Sequence, residues 1–490
     1  MFYPLFLILL LWTVVTAQKH GPRSAIWLCW MTALLMCPTW IMTRYGGLLL
    51  DLRTATAVGV LIGFALAGPG QLSASFRQVV LGDVLALFFI GAQILSQFTV
   101  GPFTPLTGPE MLRRMLLPYL MGRLCLSSAE DVDRMVPLLA KLCLILSLYA
   151  VVEGVSRVHI VNKMLGKSYG LLEQGEGYRM GLKRAQGPVD HPIFFGMMLV
   201  MLFPWSIEAM RRARAGRGPR WWIWVPIAMG GGLFVTVSRG AQIAAVFTLF
   251  ATLWFRRPRW RVVALIAAGL LALLIYANKD LVKDLSETIA GEKTEEPKII
   301  VIDGEEEIYN GTTHRVLLYK VYREAIERVG WLGYGYSLLR VPLDPEYEQR
   351  FGSIDNHYLL LLLQHGWLSI VGFLSLGGCS LLYLIRAGWN PRYRQAGVAG
   401  AMAGAMAAVL VLLFSVWFSP DFASVWLFNA GLASSLHSLP SKSGLQPTDS
   451  QPSQAAVVAR PEPLPRALPR PKLTAGHAPI RSLVKTLENA

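Results

Sequence analysis

Four short segments of this 490-residue chain combine basic, acidic and aromatic side chains in patterns suited to chemistry on a phosphorylated substrate. Lys183, Arg184 and His191 lie in Leu-Lys-Arg-Ala-Gln-Gly-Pro-Val-Asp-His-Pro, just before an apolar run. Arg239 sits in Ser-Arg-Gly between two short apolar runs, and Arg315 opens an amphipathic pattern that predicts a helix from Thr313 to Val329. Asp355, Asn356, His357 and Tyr358 stand at the start of a long apolar run. Arginine presents a planar fork that matches phosphate oxygens and stays charged when partly desolvated. Arginines converging at a membrane surface would suit the pyrophosphate of a lipid-linked substrate. Taken singly, Arg184, Arg239 and Arg315 also fit interfacial anchoring or surface ion pairs. Arg239 is the hardest to explain that way, because a small-residue turn between apolar helices is a poor place for an idle charge. Asp355 and His357 can each accept a proton from a sugar hydroxyl, histidine near neutral pH and aspartate when correctly oriented. Asp355 also fits a helix N-cap, and His365, inside the apolar run, fits packing or a helix–helix hydrogen bond.

Other polar patterns read as structural. Asp131-Val132-Asp133 has the form of a metal-holding DxD but abuts a helix start, and Glu305 to Glu307 with Glu292, Glu295 and Glu296 reads as a solvated loop face. Cys29, Cys37, Cys125, Cys143 and Cys379 all lie in apolar stretches without metal-type spacing, as small buried hydrophobes do. No Walker loop, Rossmann glycine pattern or HExxH is present, and no cofactor or metal is expected.

The elements that must position these residues are membrane helices. The chain is 53% hydrophobic and 16% charged, with a mean hydropathy of +0.44. Apolar runs recur near 2–17, 25–42, 55–69, 79–96, 111–127, 135–154, 191–208, 221–237, 240–255, 260–277, 358–385, 397–418 and 421–437. Backbone groups in lipid must be satisfied within their own segment, so these runs predict helices; the alternating short strands of a β-barrel are absent. The fold class is an all-α polytopic membrane protein of about 12–13 transmembrane helices. The first run, without a basic n-region, reads as a retained span rather than a cleaved signal. The fifth carries Arg113, Arg114 and Arg123 and fits a partly interfacial position.

The net charge of +15 does not point to nucleic acid, because the basic residues cluster in short loops between apolar runs. Arg211, Arg212, Arg214, Arg217 and Arg220 form one cluster, Arg256, Arg257, Arg259 and Arg261 a second, and Arg386, Arg392 and Arg394 a third. Short basic loops stay in the cytoplasm, and an even number of spans separates these three. The expected organisation is N-terminal helices over 1–155, an outward loop over 156–190, central helices over 191–277, a large outward loop over 278–357, C-terminal helices over 358–438 and a solvated cytoplasmic tail over 439–490. With this orientation all four segments of interest face outward.

In that order and setting, the segments resemble the O-antigen ligase and Wzy-type polymerase superfamily. Arg184-Ala-Gln-Gly-Pro through His191-Pro-Ile-Phe-Phe-Gly resembles the lead into a central span, and Ser238-Arg239-Gly240 resembles the family's Ser-Arg-Gly signature. Arg315 with Tyr319, Ala325 and Gly330-Trp-Leu-Gly-Tyr-Gly resembles its large-loop pattern. Asp355-Asn-His-Tyr-Leu with Gln364-His-Gly-Trp-Leu resembles its (His/Asp)-Asn-x-Tyr-Leu motif and the Glu-x-Gly-Leu that commonly follows. The resemblance covers about 180 to 390. It implies a GT-C-like membrane fold and metal-independent glycosyl transfer at the periplasmic face of a bacterial inner membrane. The implied donor is a glycan on undecaprenyl pyrophosphate, and the implied acceptor a glycan or lipid, with room for a chain-length regulator as partner. Arg239 and Arg315 would then hold the pyrophosphate, with Arg184 in support. Asp355 or His357 would take the proton, and Lys183, His191, Asn356 and Tyr358 would line the substrate. Asp355 stands where ligases usually carry histidine, which favours a polymerase of O-antigen or exopolysaccharide repeats over a ligase acting on lipid A core or protein. A transporter or flippase of lipid-linked glycan is the alternative outside enzymes; it would place its charges nearer the bilayer midplane.

Overall fold

The computed structural model describes residues 3–439, apart from 39–40, 46, 69, 72–75, 77, 101–103, 166–177, 180, 258–260, 264, 267–268, 270–297, 303, 310–312, 337, 339–340, 391–392 and 394. The helices are α1 (Tyr3–His20), α2 (22–36, π-helical over Ile26–Trp30), α3 (Leu52–Leu66), α4 (Leu81–Thr99), α5 (107–124), α6 (Ala129–Ser156), α7 (Ile160–Leu165) and α8 (Pro192–Arg214). They continue with α9 (Val225–Val235), α10 (Arg239–Arg256), α11 (Thr313–Val321), α12 (Arg323–Arg328), α13 (Pro345–Phe351), α14 (His357–Trp389), α15 (Ala396–Leu412) and α16 (Pro420–Ser438). Three antiparallel hairpins accompany them among the described residues: β1 (Met42–Tyr45) with β2 (Leu48–Asp51), β3 (Tyr178–Arg179) with β4 (Leu182–Lys183), and β5 (Lys298–Ile302) with β6 (Glu305–Tyr309).

The protein is all-α and polytopic. Four helices, α4, α6, α8 and α14, are long and apolar enough to cross a membrane, and α3 and α15 are shorter apolar helices. The apolar window of α8 is 89% buried against 50% for the other three, so α8 runs through the interior of the bundle. Small residues let the packed helices approach closely. Gly122 of α5 faces the backbone oxygen of Phe428 in α16, and Gly431 faces that of Tyr119. Local sequence sets the helix starts. Asp51 Oδ1 accepts from Thr54 N at 2.7 Å, Ser419 Oγ accepts from Phe422 N at 3.2 Å, and proline follows the cap in α8 and α16. Asp131 belongs to the same class, accepting from Ser127 N and Ser128 N at 2.8 and 3.1 Å, while Asp133 pairs with Arg212 at 2.7 Å. At the far end of α8 from His191, Glu208 binds Arg211, Arg212 and Arg256, drawing two of the basic clusters together.

Several sequence boundaries move, each for a local reason. The expected span 25–42 ends at Met36, because Cys37 precedes Pro38 and is extended; 42–51 then forms the first hairpin. The span 397–418 stops at Leu412, where His357 N donates to Leu413 O and Val416 O at 2.9 and 3.0 Å. The predicted helix Thr313 to Val329 is two helices, α11 and α12, separated at buried Tyr322, whose hydroxyl donates to Phe351 O at 3.0 Å. Glu305 to Glu307 lie on strand β6, where Glu305 and Glu307 pair with Lys320. Most of the expected span 260–277, the first part of the large loop and the tail from 440 lie outside the described residues.

One break in a helix joins the large loop to the bundle. Gly366 in α14 has φ 72°, a left-handed value that interrupts the helix. A broken helix in lipid strands backbone groups, each at a cost of several kcal/mol unless another segment satisfies them. The turn 330–335 does so. Tyr334 N donates to Leu363 O at 2.7 Å, Gly335 N to Gln364 O at 3.0 Å, and Leu368 N to Trp331 O at 3.2 Å. Ser96 of α4 adds a hydroxyl bond to Leu332 O at 2.6 Å and lies 3.3 Å from His365 Nδ1, a helix–helix contact of the kind expected for that histidine. A Cβ on Gly366 would fall 2.4 Å from backbone atoms of Trp331 and Gly333. Gly366→Ala is expected to cost ~1–3 kcal/mol from its backbone conformation alone and to undock the loop. Thermal unfolding in detergent should show a lower midpoint, and limited proteolysis faster cleavage within 298–351; a variant matching wild type in both would contradict this docking.

Candidate functional site

The four segments are joined by a continuous path of contacts at the His191 end of α8. Ala185 N donates to Val235 O at 3.0 Å, holding the Arg184 strand beside the turn that leads to Arg239. Gly196 of α8 packs against Thr236, Ser238 and Ala241. Gly240 faces Leu412, the last residue of α15. The next turn receives His357 N, and Tyr358 Oη donates to Leu410 O at 2.6 Å, so α15 bridges the Arg239 turn to the start of α14. Asn356 Nδ2 donates to Tyr319 Oη at 2.7 Å. Tyr319 lies one turn after Arg315 on α11, so this bond fixes the arginine's helix against the Asp355 segment.

Each predicted side chain has a definite setting. Lys183 is half-buried in β4, and Arg184 is buried. His191 caps α8, its Nδ1 accepting from Ile193 N at 3.2 Å; Phe194, 5.6 Å from its ring, meets Trp417 edge-on at 5.1 Å. Arg239 is the exposed first residue of α10. Arg315 is half-buried, and its Nε is enclosed with no hydrogen-bond partner among the described residues. The N-cap of α14 is Asn356 rather than Asp355: its Oδ1 accepts from Leu359 N at 3.1 Å. Asp355, relieved of that role, is half-buried with a long 3.4 Å contact from Ser353 Oγ. His357 is buried at 6% exposure between Phe418 and Phe373, at ring distances of 4.6 and 5.0 Å. Neither of its ring nitrogens has a hydrogen-bond partner among the described residues. Tyr358 packs against Phe414 with the rings tilted, centroids 4.3 Å apart.

Glu153 escaped the sequence reading. It is fully buried near the end of α6, where its Oε2 accepts from Gln186 N and Gly187 N at 3.0 and 2.8 Å and its Oε1 meets His159 Nδ1 at 2.6 Å. It thereby fixes the backbone just after Arg184. The signal was present as a single carboxylate in an apolar run, a position that demands a partner; it was absorbed into the expected span 135–154. Glu153→Ala would leave two buried amides without their acceptor, at a cost of about 1–3 kcal/mol each. Thermal unfolding should show a clear loss of stability, and a wild-type midpoint would contradict the anchoring role.

Comparison with known proteins agrees with the motifs. Residues 224–374 match the family model described as O-antigen ligase. That segment contains Arg239, Arg315 and Asp355 to Tyr358, and excludes Lys183, Arg184 and His191. The match supports the O-antigen ligase and Wzy-type family, and with it a membrane protein of ligase or polymerase type. Lipid-linked glycans are the substrates that this family implies. No curated protein matches the chain.

Proposed function

We propose that the protein polymerises undecaprenyl-pyrophosphate-linked repeat units of an O-antigen or exopolysaccharide, working at the periplasmic face of a bacterial inner membrane with its C-terminal tail in the cytoplasm. The observation that carries this reading is the path of contacts joining the Arg239 turn, α15, Asp355 and, through the Asn356–Tyr319 bond, the helix of Arg315. Arg239 and Arg315 hold the pyrophosphate of the donor, and the N-terminal end of α10 adds to the attraction for an anion. Arg184 supports them from the strand beside Val235. The acceptor hydroxyl oxygen attacks the anomeric carbon as the carbon–oxygen bond to pyrophosphate breaks. Its proton passes to Asp355, and undecaprenyl pyrophosphate leaves with its growing charge stabilised by the arginines. Asp355 is preferred to His357 as base because its carboxylate is half-open, whereas the imidazole is enclosed by aromatic rings. His357 then serves to pack the start of α14.

Arg239→Ala should lower kcat about a hundredfold or more, and Arg239→Lys should recover little, since lysine lacks the fork. Asp355→Asn should lower kcat about a hundredfold, with the loss larger than for His357→Phe. Elongation of purified lipid-linked repeat units by protein in detergent measures all three; full elongation by Arg239→Ala would sink the assignment.

The description of the matched family favours a second reading, transfer of a finished glycan to lipid A core or to protein. Glycans from a strain lacking the protein separate the two. Single repeat units indicate a polymerase, and finished polymer retained on its lipid carrier indicates a ligase.

A further inference from the structure

A cavity of about 220 Å³ lies between α2, the β1–β2 hairpin, the start of α3, the middle of α5, the Asp190 loop and the start of α16. It adjoins the site just described. Asp190 on its wall immediately precedes His191, and Pro420 on its wall follows Trp417, which packs on Phe194. None of its lining residues falls within 224–374, the segment matched by the family. The cavity is therefore extra to the elements that carry Arg239, Arg315 and Asp355.

Its chemistry is that of a polyol site rather than an anion site. Three arginines line it, yet each is paired. Arg53 meets Asp421 at 3.0 Å, Arg113 meets Asp51 and Glu110 at 3.1 and 2.6 Å, and Arg114 meets Glu110 at 2.6 Å. A phosphate would find those guanidiniums already neutralised and would face the carboxylates of Asp51 and Asp190. A neutral sugar meets no such repulsion. Asp190 offers the open carboxylate of the wall, being exposed, whereas Arg53 is 6% exposed and its Nη2 already donates to Cys37 O at 3.0 Å. Asp421 is a neighbouring carboxylate; desolvation, then that carboxylate, push Asp190 up to about 6, with Arg53 pulling the other way. The volume equals the liquid share of roughly seven waters, room for one sugar ring.

We propose that this cavity is the acceptor subsite, holding one sugar ring whose hydroxyls donate to the Asp190 carboxylate. The acceptor role rests on the glycosyl transfer proposed above, whereas the sugar binding does not.

The test is calorimetric titration of full-length protein in lipid nanodiscs with the free repeat-unit oligosaccharide, released from the lipid carrier of a strain lacking the protein. Wild type should bind. Asp190→Asn and the space-filling Ser424→Leu should each weaken binding about tenfold or more, the scale of a lost polar contact or a lost ring position. Inorganic pyrophosphate should not compete. No binding by wild type, equal binding by both variants, or competition by pyrophosphate would each overturn the subsite. Arg239→Ala should lose transfer yet keep binding. Sugar binding by a wild-type protein that transfers nothing would overturn the acceptor role together with the transfer reading.

Discussion

The break in α14 at Gly366 is the constraint on which the remaining architecture depends. A helix that stops inside an apolar span exposes carbonyls and amides that lipid cannot satisfy. The turn 330–335 satisfies them with three backbone bonds, and both chains come close enough only because Gly333 and Gly366 lack Cβ atoms. The large loop is thereby fastened to the bundle by its backbone. Its small core of Leu317, Leu318, Tyr322 and Phe351 continues directly into Leu359 and Leu363 of α14. Arg315 inherits its position from this docking, since its helix is held between that core and the Asn356–Tyr319 bond.

The second constraint is the enclosed α8. Its His191 end gathers the Arg184 strand, the Arg239 turn and the 413–420 segment, and its Arg214 end gathers Glu208 with the basic clusters. One helix thus separates a charged, ion-paired end from an end that is linked through α15 to the Arg239 turn and the start of α14. Buried carboxylates secure both ends, Glu208 at one and Glu153 at the other.

Hydropathy made most of the bundle legible in the sequence, because lipid enforces one simple rule on every span. Where helices stop was less legible, since tertiary bonds decide it: α15 ends where His357 N claims its carbonyls, and α11 ends where Tyr322 turns inward. The residue types at the site were visible as short motifs, and the family match over 224–374 covers most of them. Their division of labour was not. The sequence pattern offered Asp355 as the cap of α14, and only the bond from Leu359 N assigns that role to Asn356. Glu153 was hidden because a single acid inside an apolar run says that a partner exists without saying where.

The central claim is that Arg239, Arg315 and Asp355, drawn from three separate elements, serve one lipid-pyrophosphate substrate. The most direct measurement is a structure of the protein in a lipid nanodisc with an undecaprenyl-pyrophosphate-linked glycan bound. The pyrophosphate is expected between Arg239 and Arg315, with the anomeric carbon turned toward Asp355. A pyrophosphate seated away from both arginines, or a sugar facing away from Asp355, would contradict it.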